Sequence, residues 1–320
     1  MKSTVSVQIV TYNSESDIEA CLSAVLKQTY PIFKTIVIDN NSQDETALKV
    51  RAFPNVQLVL NQQNTGFAPA HNQAIHMTNT DYVLVLNPDV QLHDTYIENI
   101  IEILESNSCM GMATGKLYRD INNKLLDSTG IRMKKNRRAI DRGANEIDTG
   151  QYDQLTNVFG VSGAAVIYKR KMINDISYES EFFDESFFAY KEDVDVSWRA
   201  QVLGWQAVFV PNAIATHGRG WKEEKKRSEV PVYIRQKSYI NRYFYILKND
   251  TIFNFIMHLP YILFFEIASF IYTLSKEREL LKAWEFFKQQ FVKMKLKRDF
   301  IKQKQKVSNK FIRSFFKGIW

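Results

Sequence analysis

The stretch Asp81-Tyr-Val-Leu-Val-Leu-Asn-Pro-Asp89 predicts the centre of the fold. Its apolar run, Tyr82–Leu86, consists of β-forming residues and is typical of a strand buried on both faces of a parallel sheet. The strand is expected to end at Asn87-Pro88, because proline has no N–H to donate to a sheet ladder. Ligands of open α/β sheets bind beyond the carboxyl ends of the strands. Asn87 and Asp89 are therefore expected where a metal-bound phosphate would be met.

Three further strands are expected before this one, at residues 5–12, 35–39 and 56–60. The segments between them are long enough for crossovers, so parallel pairing would bring the loops to one edge of the sheet. The loops are polar: Thr11, Tyr12 and Asn13 after the first strand, residues 39–42 after the second, Asn64-Thr-Gly-Phe-Ala68 after the third and Asn87-Pro-Asp89 after the fourth. Four polar clusters at one edge predict a nucleotide pocket. The glycine signatures of dinucleotide dehydrogenases and P-loop enzymes are absent from the sequence, which argues against both classes.

The positive charge is concentrated at the carboxyl end of the chain. The formal net charge is +7, but residues 276–320 contain fourteen Lys/Arg and four Asp/Glu, so residues 1–275 carry a net −3. The basic character therefore concerns the partner of the tail and not the substrate. Cys21 and Cys109 lie in apolar patterns without metal-ligand spacing and are expected to be buried free thiols. The chain enters a strand directly after residue 4, which predicts no signal peptide and a cytoplasmic catalytic part.

Three carboxylates stand together in Glu192-Asp-Val-Asp195, at the predicted start of a helix. The helix dipole stabilises anions there, so capping accounts for one carboxylate, whereas three would repel one another unless one had an external partner. Helical spacing predicts that Asp193 points away from the face shared by Glu192 and Asp195, and that Asp195 pairs with Arg199. His217 follows the next predicted strand, where it is either a structural residue or a metal ligand.

Together these motifs resemble the series found in family 2 inverting glycosyltransferases. Val10-Thr-Tyr-Asn13, the run at residues 37–46, Asn64-Thr-Gly-Phe-Ala68 and Leu86-Asn-Pro-Asp89 carry the resemblance, which spans roughly residues 5–250. The Asn-Pro-Asp variant is similar to bacterial rhamnosyltransferases that use dTDP-rhamnose. The resemblance implies an α/β catalytic domain over residues 1–250, with the GT-A nucleotide-diphospho-sugar transferase fold and a mostly parallel central sheet.

The resemblance also implies roles for single residues. Asp193, beside Glu192, would be the general base, and Asp89 with His217 would hold a divalent metal, Mg²⁺ or Mn²⁺. The family's usual Asp-x-Asp begins here with Asn87, which weakens the charge of the site. Asp39 would read the nucleotide base, and the remaining nucleotide contacts would come from Thr11, Tyr12, Asn13, Asn41, Asn64, Gly66 and Asn87. Lys225, Lys226 and Arg227 are expected either to screen the donor diphosphate or to be ordinary surface charges.

Residues 251–320 are predicted to form a helical membrane-attachment region. Residues 251–274 contain seventeen apolar residues and no Lys or Arg, enough to span a bilayer. Polar residues recur near helical spacing and Pro260 interrupts the segment, so an in-plane or re-entrant helix is favoured over a crossing. The polar stripe comprises Asn254, His258, Glu266, Ser269 and Thr273. The basic aromatic tail that follows is typical of helices on anionic cytoplasmic membrane surfaces, and this apolar neighbour argues against nucleic acid as its partner.

The sequence therefore predicts a membrane-associated inverting glycosyltransferase on the cytoplasmic face of the cell membrane, peripheral or monotopic. Its donor would be a nucleotide sugar, with dTDP-rhamnose preferred. Its acceptor would be a hydroxyl of a surface glycan or of a polyprenyl-diphosphate-linked glycan. Two alternatives stay open at this point: the same fold with a UDP-hexose donor, and a non-catalytic membrane protein that binds nucleotide sugars. No motif indicates the oligomeric state.

Overall fold

The computed structural model describes residues 2–154, 156–218 and 229–319. The strands are β1 (Val5–Thr11), β2 (Lys34–Asp39), β3 (Val56–Leu60), β4 (Tyr82–Leu86), β5 (Val90–Leu92), β6 (Met110–Asp120), β7 (Leu125–Ser128), β8 (Ile131–Met133), β9 (Ala139–Asp141), β10 (Asn157–Val158), β11 (Ala165–Lys169) and β12 (Gln206–His217). The helices are α1 (Ile18–Leu26), α2 (Thr46–Arg51), α3 (Phe67–His76), α4 (Tyr96–Ser106), α5 (Arg170–Ile176), α6 (Glu192–Val202), α7 (Val232–Asn249), α8 (Ile252–Met257), α9 (Leu259–Lys276), α10 (Ala283–Gln303) and α11 (Asn309–Ser314).

The main sheet has the strand order β10-β12-β6-β11-β4-β1-β2-β3, with β5 paired to β12 and β7 paired to β6. Strands β3, β2, β1 and β4 are parallel, as predicted, and all five residues of β4 are buried. Strand β11 is antiparallel to both of its neighbours, while β12 is parallel to β6. The sheet is therefore mixed but mostly parallel, which confirms the predicted α/β class.

The register of strand pairing places the polar loops close together. Thr11 pairs with Asp39 across β1 and β2, and Ile9 pairs with Leu86 across β1 and β4. These strands run in the same direction and end at nearly the same level, so their following loops share one edge of the sheet. This edge carries the site described below.

Two apolar runs in the sequence, residues 158–168 and 205–211, also predict strands, and the structure gives both different bounds. Residues 158–168 do not form one strand: the chain leaves the sheet between β10 and β11, and there Gly160 passes so close to Ser197 that a Cβ would lie 2.4 Å from its side chain. Strand β12 continues past Pro211 to His217, across an irregularity between Val210 and Ile214. Both differences depend on neighbouring elements and could not be read from local sequence.

The cysteine prediction is half correct. Cys21 is buried in α1, whereas Cys109 is exposed in the turn that precedes β6. The backbone N–H of Cys109 donates a hydrogen bond to Asn107 Oδ1 over 2.9 Å, as part of that turn. The apolar pattern around Cys109 belongs to β6 and not to the turn, which is why the expectation of burial was wrong there.

Many tail side chains that were expected at a membrane pack on the catalytic core instead. Phe316 is 3% exposed, and the tail aromatics Trp284, Phe286, Phe287, Phe300 and Phe315 are partly buried against the same core. The ring of Phe287 stacks on that of Phe244 in α7 at a centroid distance of 5.4 Å. The tail thus covers an aromatic face that α7 would otherwise expose. Trp320 lies outside the described residues, and the domain boundary at residue 250 stays a prediction.

Among the described residues, no helix is both long enough and apolar enough to cross a membrane.

Candidate active site

A cavity of about 680 Å³ lies at the carboxyl edge of β1 and β4. Seven of the predicted site residues line it: Tyr12, Asn13, Asn87, Asp89, Glu192, Asp193 and His217. The other five, Thr11, Asp39, Asn41, Asn64 and Gly66, are not in its wall. The cavity also includes Asp141, Ser162 and Lys191, which sequence reasoning did not select as site residues. The two halves of the chain therefore meet in one open pocket.

Asp39 is buried beneath this edge, with 2% of its surface exposed. Its Oδ1 accepts a hydrogen bond from Thr11 Oγ1 over 2.9 Å, and its Oδ2 accepts one from the backbone N–H of Ser42, also over 2.9 Å. Ser42 Oγ in turn accepts a hydrogen bond from the N–H of Asn13. The carboxylate thus holds two loops in place, and its role in reading the base stays a prediction.

Asn40 joins the next two loops and was missed as a site residue. Its Nδ2 donates to the carbonyl of Gly66 over 3.0 Å, and its Oδ1 accepts from Thr65 Oγ1 over 3.1 Å. Gly66 has φ +91°, and a Cβ at this residue would lie 2.5 Å from the carbonyl oxygen of Phe188. Only glycine fits this conformation and this close approach without strain. The loop after β3 is therefore built against the segment that precedes α6.

Asp193 faces the cavity from the first turn of α6. Its Oδ2 accepts a hydrogen bond from the N–H of Gly163 over 3.1 Å, in the segment between β10 and β11. Glu192 is 7% exposed, and its Oε2 has no hydrogen-bond partner among the described residues. Burial raises the pKa of both carboxyl groups above their ordinary values, and the charge of Asp193 raises the pKa of Glu192 further. A raised pKa suits a group that must accept a proton near neutral pH.

The third carboxylate of the cluster has a structural role. Asp195 is fully buried, and its Oδ2 lies 3.3 Å from Arg199 Nη2, as predicted, and 2.8 Å from Lys248 Nζ of α7. Lys248 also pairs with Asp184, which in turn pairs with Lys297 of α10 at 2.7 Å. This buried network anchors α6 from behind. Asp193 and Asp195 are thus separated as helical spacing predicted, but Glu192 lines the cavity beside Asp193 and does not join Asp195.

His217 and Asp89 are brought together by strand pairing. Strand β5 begins directly after Asp89, and Val90 pairs with His217 across β5 and β12. His217 Nε2 lies 3.4 Å from Asp89 Oδ1, and its Nδ1 hydrogen-bonds Asp127 Oδ2 over 2.8 Å. Burial alone would lower the pKa of His217, but the hydrogen bonds to Asp127 and Asp89 outweigh it and raise the pKa to about 9. Asp127 was not predicted, because no motif marks it in the sequence.

This pair can be tested against the needs of a divalent cation. Asp127 engages Nδ1, which leaves Nε2 of His217 beside the carboxylate of Asp89 in the cavity wall, and a cation bound there would displace the Nε2 proton. No group of three or more His, Cys, Asp or Glu side chains suited to a metal occurs in the described part of the chain. A carboxylate oxygen and an imidazole nitrogen suit Mn²⁺, and Mg²⁺ commonly takes few protein ligands together with substrate phosphates. The residues present fit such an ion.

The segment before α6 is held in an unusual backbone conformation. Phe188, Tyr190 and Lys191 have φ values of 62°, 70° and 70°. Residues other than glycine rarely adopt this region of backbone conformation. Asn241 of α7, which is fully buried, donates from Nδ2 to the carbonyls of Phe187, Ala189 and Tyr190 over 2.9, 3.0 and 2.8 Å. No local pattern could have revealed Asn241, because its partners are more than fifty residues away. Lys225, Lys226 and Arg227 lie outside the described residues.

With the geometry in place, comparison with known proteins decides the family. The sequence model of "Glycosyl transferase family 2" matches residues 6–177, more than half of the chain. The chain belongs to glycosyl transferase family 2. This family 2 enzyme is thus a glycosyltransferase, as predicted. The family match ends before Asp193 and His217, so their roles rest on the geometry described above and on the motif resemblance.

Two curated relatives illustrate what this family 2 enzyme is similar to. One is the N-acetylglucosaminyl-diphospho-decaprenol L-rhamnosyltransferase of Mycobacterium tuberculosis, 26% identical over 245 residues, which cover 68% of this chain and 76% of the relative. The other is the UDP-Glc:alpha-D-GlcNAc-diphosphoundecaprenol beta-1,3-glucosyltransferase of Escherichia coli, 28% identical over 196 residues, which cover 59% of this chain and 66% of the relative.

Among solved structures, the family 2 enzyme is similar to a mannosyltransferase from Pyrobaculum calidifontis in complex with GDP-Man and Mn²⁺. The TM-score is 0.58 at 16% sequence identity, and the match covers 91% of this chain and 76% of the other. At this identity the likeness concerns the fold alone. It agrees with the GT-A arrangement expected from the sequence.

Proposed function

We propose that this family 2 enzyme transfers a sugar from a nucleoside-diphosphate sugar to a hydroxyl of a lipid-linked or polysaccharide acceptor in surface glycan synthesis. The transfer inverts the anomeric configuration. The preferred donor is dTDP-rhamnose, so the preferred sugar is rhamnose. The observation that carries the proposal is the meeting of Asp193 with Asp89 and His217 in one cavity, from opposite halves of the chain. One pocket thus contains a proton acceptor and two side chains that would bind a metal ion, which are the groups that such a displacement needs.

In the proposed reaction Asp193 accepts the proton of the acceptor hydroxyl. The hydroxyl oxygen attacks the anomeric carbon as the bond from that carbon to the diphosphate oxygen breaks. The electron pair of this bond leaves with the nucleoside diphosphate. A single displacement from the opposite face inverts the anomeric configuration. General-base assistance of this kind is worth about 10²–10⁴ in rate.

Asp89 and His217 would hold a divalent metal, Mg²⁺ or Mn²⁺, with Asp127 orienting the imidazole. Such an ion neutralises charge that develops on a departing diphosphate. Hydrogen-bonded partners of ligating histidines fix the tautomer and ring orientation, which is the part proposed for Asp127. Asn87 would contribute an amide where the family usually has a carboxylate, so the site carries less negative charge.

The nucleotide would lie along the loops after β1, β2 and β3. Tyr12 and Asn13 line the cavity directly, and Thr11, Asp39, Asn41, Asn64 and Gly66 would shape or contact the nucleotide subsite. The Mycobacterium tuberculosis relative supports rhamnose as the sugar. The Escherichia coli relative, whose name specifies UDP-Glc, supports a UDP-hexose as the second candidate donor.

The acceptors named for both relatives are carried on polyprenol diphosphates. A membrane-resident acceptor would give a purpose to binding of residues 251–320 to an anionic membrane surface, which we also propose. We therefore propose that the enzyme acts at the cytoplasmic face of the cell membrane as a peripheral or monotopic protein, with no nucleic acid as partner. Confinement to the plane of the acceptor would raise the rate of encounter.

Nucleoside-diphosphate release from dTDP-, UDP- and GDP-sugars tests the proposal. The assay uses a water-soluble, short-chain GlcNAc-diphosphate acceptor, with and without EDTA, and Asp193→Asn as the matched inactive control. Release from dTDP-rhamnose that EDTA and Asp193→Asn both abolish is the expected result. Release from a UDP-hexose would replace the donor but keep the reaction. No release of nucleoside diphosphate from any donor would favour the non-catalytic alternative, provided that a known transferase uses the same acceptor.

A further inference from the structure

Helices α8 and α9 are amphipathic, but their apolar side is exposed and their polar side is buried. A surface helix of a soluble protein has the opposite orientation. Their exposed side, here called the apolar face, presents large apolar side chains that are 38–69% exposed, among them Ile252, Ile256, Phe264, Ile267 and Ile271. Their polar residues point inward: Asn254 is fully buried, and Thr273 is 2% exposed. A helix against a protein core normally does the opposite. The apolar face therefore needs an explanation outside the fold.

The density of exposed apolar side chains is specific to this region. Eleven large apolar residues between 252 and 274 are exposed, against ten in all the described residues before 251. The latter are scattered over the catalytic part, for example Phe33 and Leu48. Contiguous apolar patches of this kind mark interaction sites, whereas single exposed apolar residues are normal.

The inward orientation is enforced by specific polar contacts. Glu266 of α9 accepts a hydrogen bond from Arg242 Nη1 over 2.5 Å and from Tyr243 Oη over 2.7 Å. The buried Arg137 hydrogen-bonds His258 Nδ1 and the carbonyl of Asn254, both over 2.9 Å. Rotating α8 and α9 to hide the apolar face would break these contacts and leave charged groups without partners, which is costly. The exposed orientation is thus built into the fold.

Cationic side chains border the apolar face. Lys135 Nζ lies 5.1 Å from the ring centroid of Tyr261, and the Arg313 guanidinium lies 5.4 Å from that of Phe253. Arg298 and Lys302 of α10 line a cavity of about 260 Å³ that they share with Phe253. Between residues 252 and 275 Glu266 is the sole acidic residue, and it is engaged by α7. Apolar side chains bordered by cations complement a bilayer with anionic headgroups.

We propose that the apolar face of α8 and α9 inserts in the plane of an anionic bilayer, with Lys135, Arg298, Lys302 and Arg313 at the level of the headgroups. The inference deepens the proposed function, on which its biological purpose rests, by naming the surface that contacts lipid. It keeps the in-plane helix that the sequence favours for this segment and adds which side chains face the lipid. A second copy of the chain fits less well, because a symmetric contact would place the same cations against one another.

The arrangement also relates the membrane to the reaction site. Helix α7 binds α9 through Arg242, and through the preceding residue, Asn241, it binds the segment that leads to Asp193. Helix α7 therefore connects the helix that carries the apolar face to the segment that leads to Asp193.

Flotation of the full chain with phosphatidylglycerol-containing vesicles tests the inference. The double variant Ile267→Asn, Ile271→Asn removes two residues of the apolar face, and Phe33→Asn, Leu48→Asn is the matched control at exposed apolar positions elsewhere. Wild type and control are expected to float, and the first variant is expected to lose about tenfold or more in vesicle partitioning. Equal flotation of all three proteins would overturn the proposal.

A second measurement does not depend on the stability of the asparagine variant. The variant Ile267→Cys, made in a Cys109→Ser background, is labelled with an environment-sensitive fluorophore. Labelling is confined to residue 267 because Cys21 is buried and is not expected to react. A blue shift on addition of vesicles is expected at residue 267 and not with Leu48→Cys in the same background. No shift, or a shift caused by self-association that light scattering detects without vesicles, would assign the face to another partner.

The outcome is distinguishable from that of the proposed function. Release of nucleoside diphosphate with the water-soluble acceptor needs no membrane. A wild-type protein that is active in that assay but does not bind vesicles would overturn the membrane surface and keep the transferase. A protein that binds vesicles through the apolar face but releases nothing from any donor would support the surface and reject the proposed reaction.

Discussion

Asn241 and Arg242 are neighbours in α7 whose side chains bind two different parts of the protein. Asn241 holds the carbonyls of Phe187, Ala189 and Tyr190, and Arg242 holds Glu266 of α9. One helix therefore positions the strained segment before Asp193 and the helix that carries the apolar face.

Asn241→Ala is expected to lower kcat by about 10- to 100-fold, because a small displacement of a catalytic group has effects of this size. The KM for the donor should change little, since Asn241 does not line the cavity. Steady-state kinetics of the purified variant check this, with Val232→Ala at an exposed position of α7 as the control. A variant with normal kcat and a normal melting temperature would show that the segment keeps its conformation without Asn241.

The activity is expected to fall at acidic pH through protonation of Asp193. Burial raises the pKa of this carboxyl above the ordinary value of about 3.9, and the base works only when deprotonated. The rate therefore rises with pH through the raised pKa and is lost as pH falls through it. The acidic side of the pH profile of kcat/KM shows where this loss occurs. Asp193→Asn should remove transfer altogether. An acid limb that stays near pH 4 would contradict the assignment.

Asp127→Asn is expected to weaken binding of Mn²⁺ about 10- to 100-fold, the usual cost of losing the partner that orients a ligating histidine. Asp127 holds His217 Nδ1 at 2.8 Å. Calorimetric titration of Mn²⁺ in the presence of dTDP or UDP measures the affinity. Asp120→Asn is the control, because this partly exposed carboxylate binds only its own turn in the contacts described. Unchanged Mn²⁺ binding in Asp127→Asn would separate His217 from the metal.

Lys248→Met is expected to destabilise the protein by about 3–5 kcal/mol, because it leaves two buried carboxylates with one cation each, Lys297 at Asp184 and Arg199 at Asp195. Lys248 is paired with Asp184 and Asp195, all three with side chains at most 2% exposed. Lys306→Met, whose side chain is 60% exposed in its pair with Asp175, should change stability by about 1 kcal/mol or less. Chemical denaturation of both variants checks the difference. Equal stability of the two would mean that Lys297 and Arg199 alone compensate the charges of Asp184 and Asp195.

The same network explains why the tail cannot be regarded only as a membrane anchor. Lys297 of α10 is 2% exposed and binds Asp184 and Glu181 at 2.7 and 2.6 Å. Aromatic residues of α10 cover α7 from the same side. The tail therefore contributes both cations and apolar side chains to the interior behind α6. Its composition, basic and aromatic, is the same whether it faces lipid or protein.

The sequence by itself determined the family, the parallel half of the sheet and seven of the residues that line the cavity. These features depend on local patterns: an apolar run such as Tyr82–Leu86 makes a strand, and the polar residues after it lie at the edge where such strands end. Asp193 and Asp195 were separated by helical spacing alone. Each of these inferences uses contacts within a few residues.

Only the tertiary structure decided which polar groups support the site and which face of α9 is exposed. Asp127 reaches His217 across ninety residues, and Asn241 reaches Tyr190 across fifty-one. The polar stripe of α8 and α9 was visible in the sequence, but its direction depends on Arg137 and Arg242, which lie on other elements. Periodicity shows that a helix has two different faces, while the partner that each face meets is fixed by long-range packing and by the cost of burying an unpaired charge.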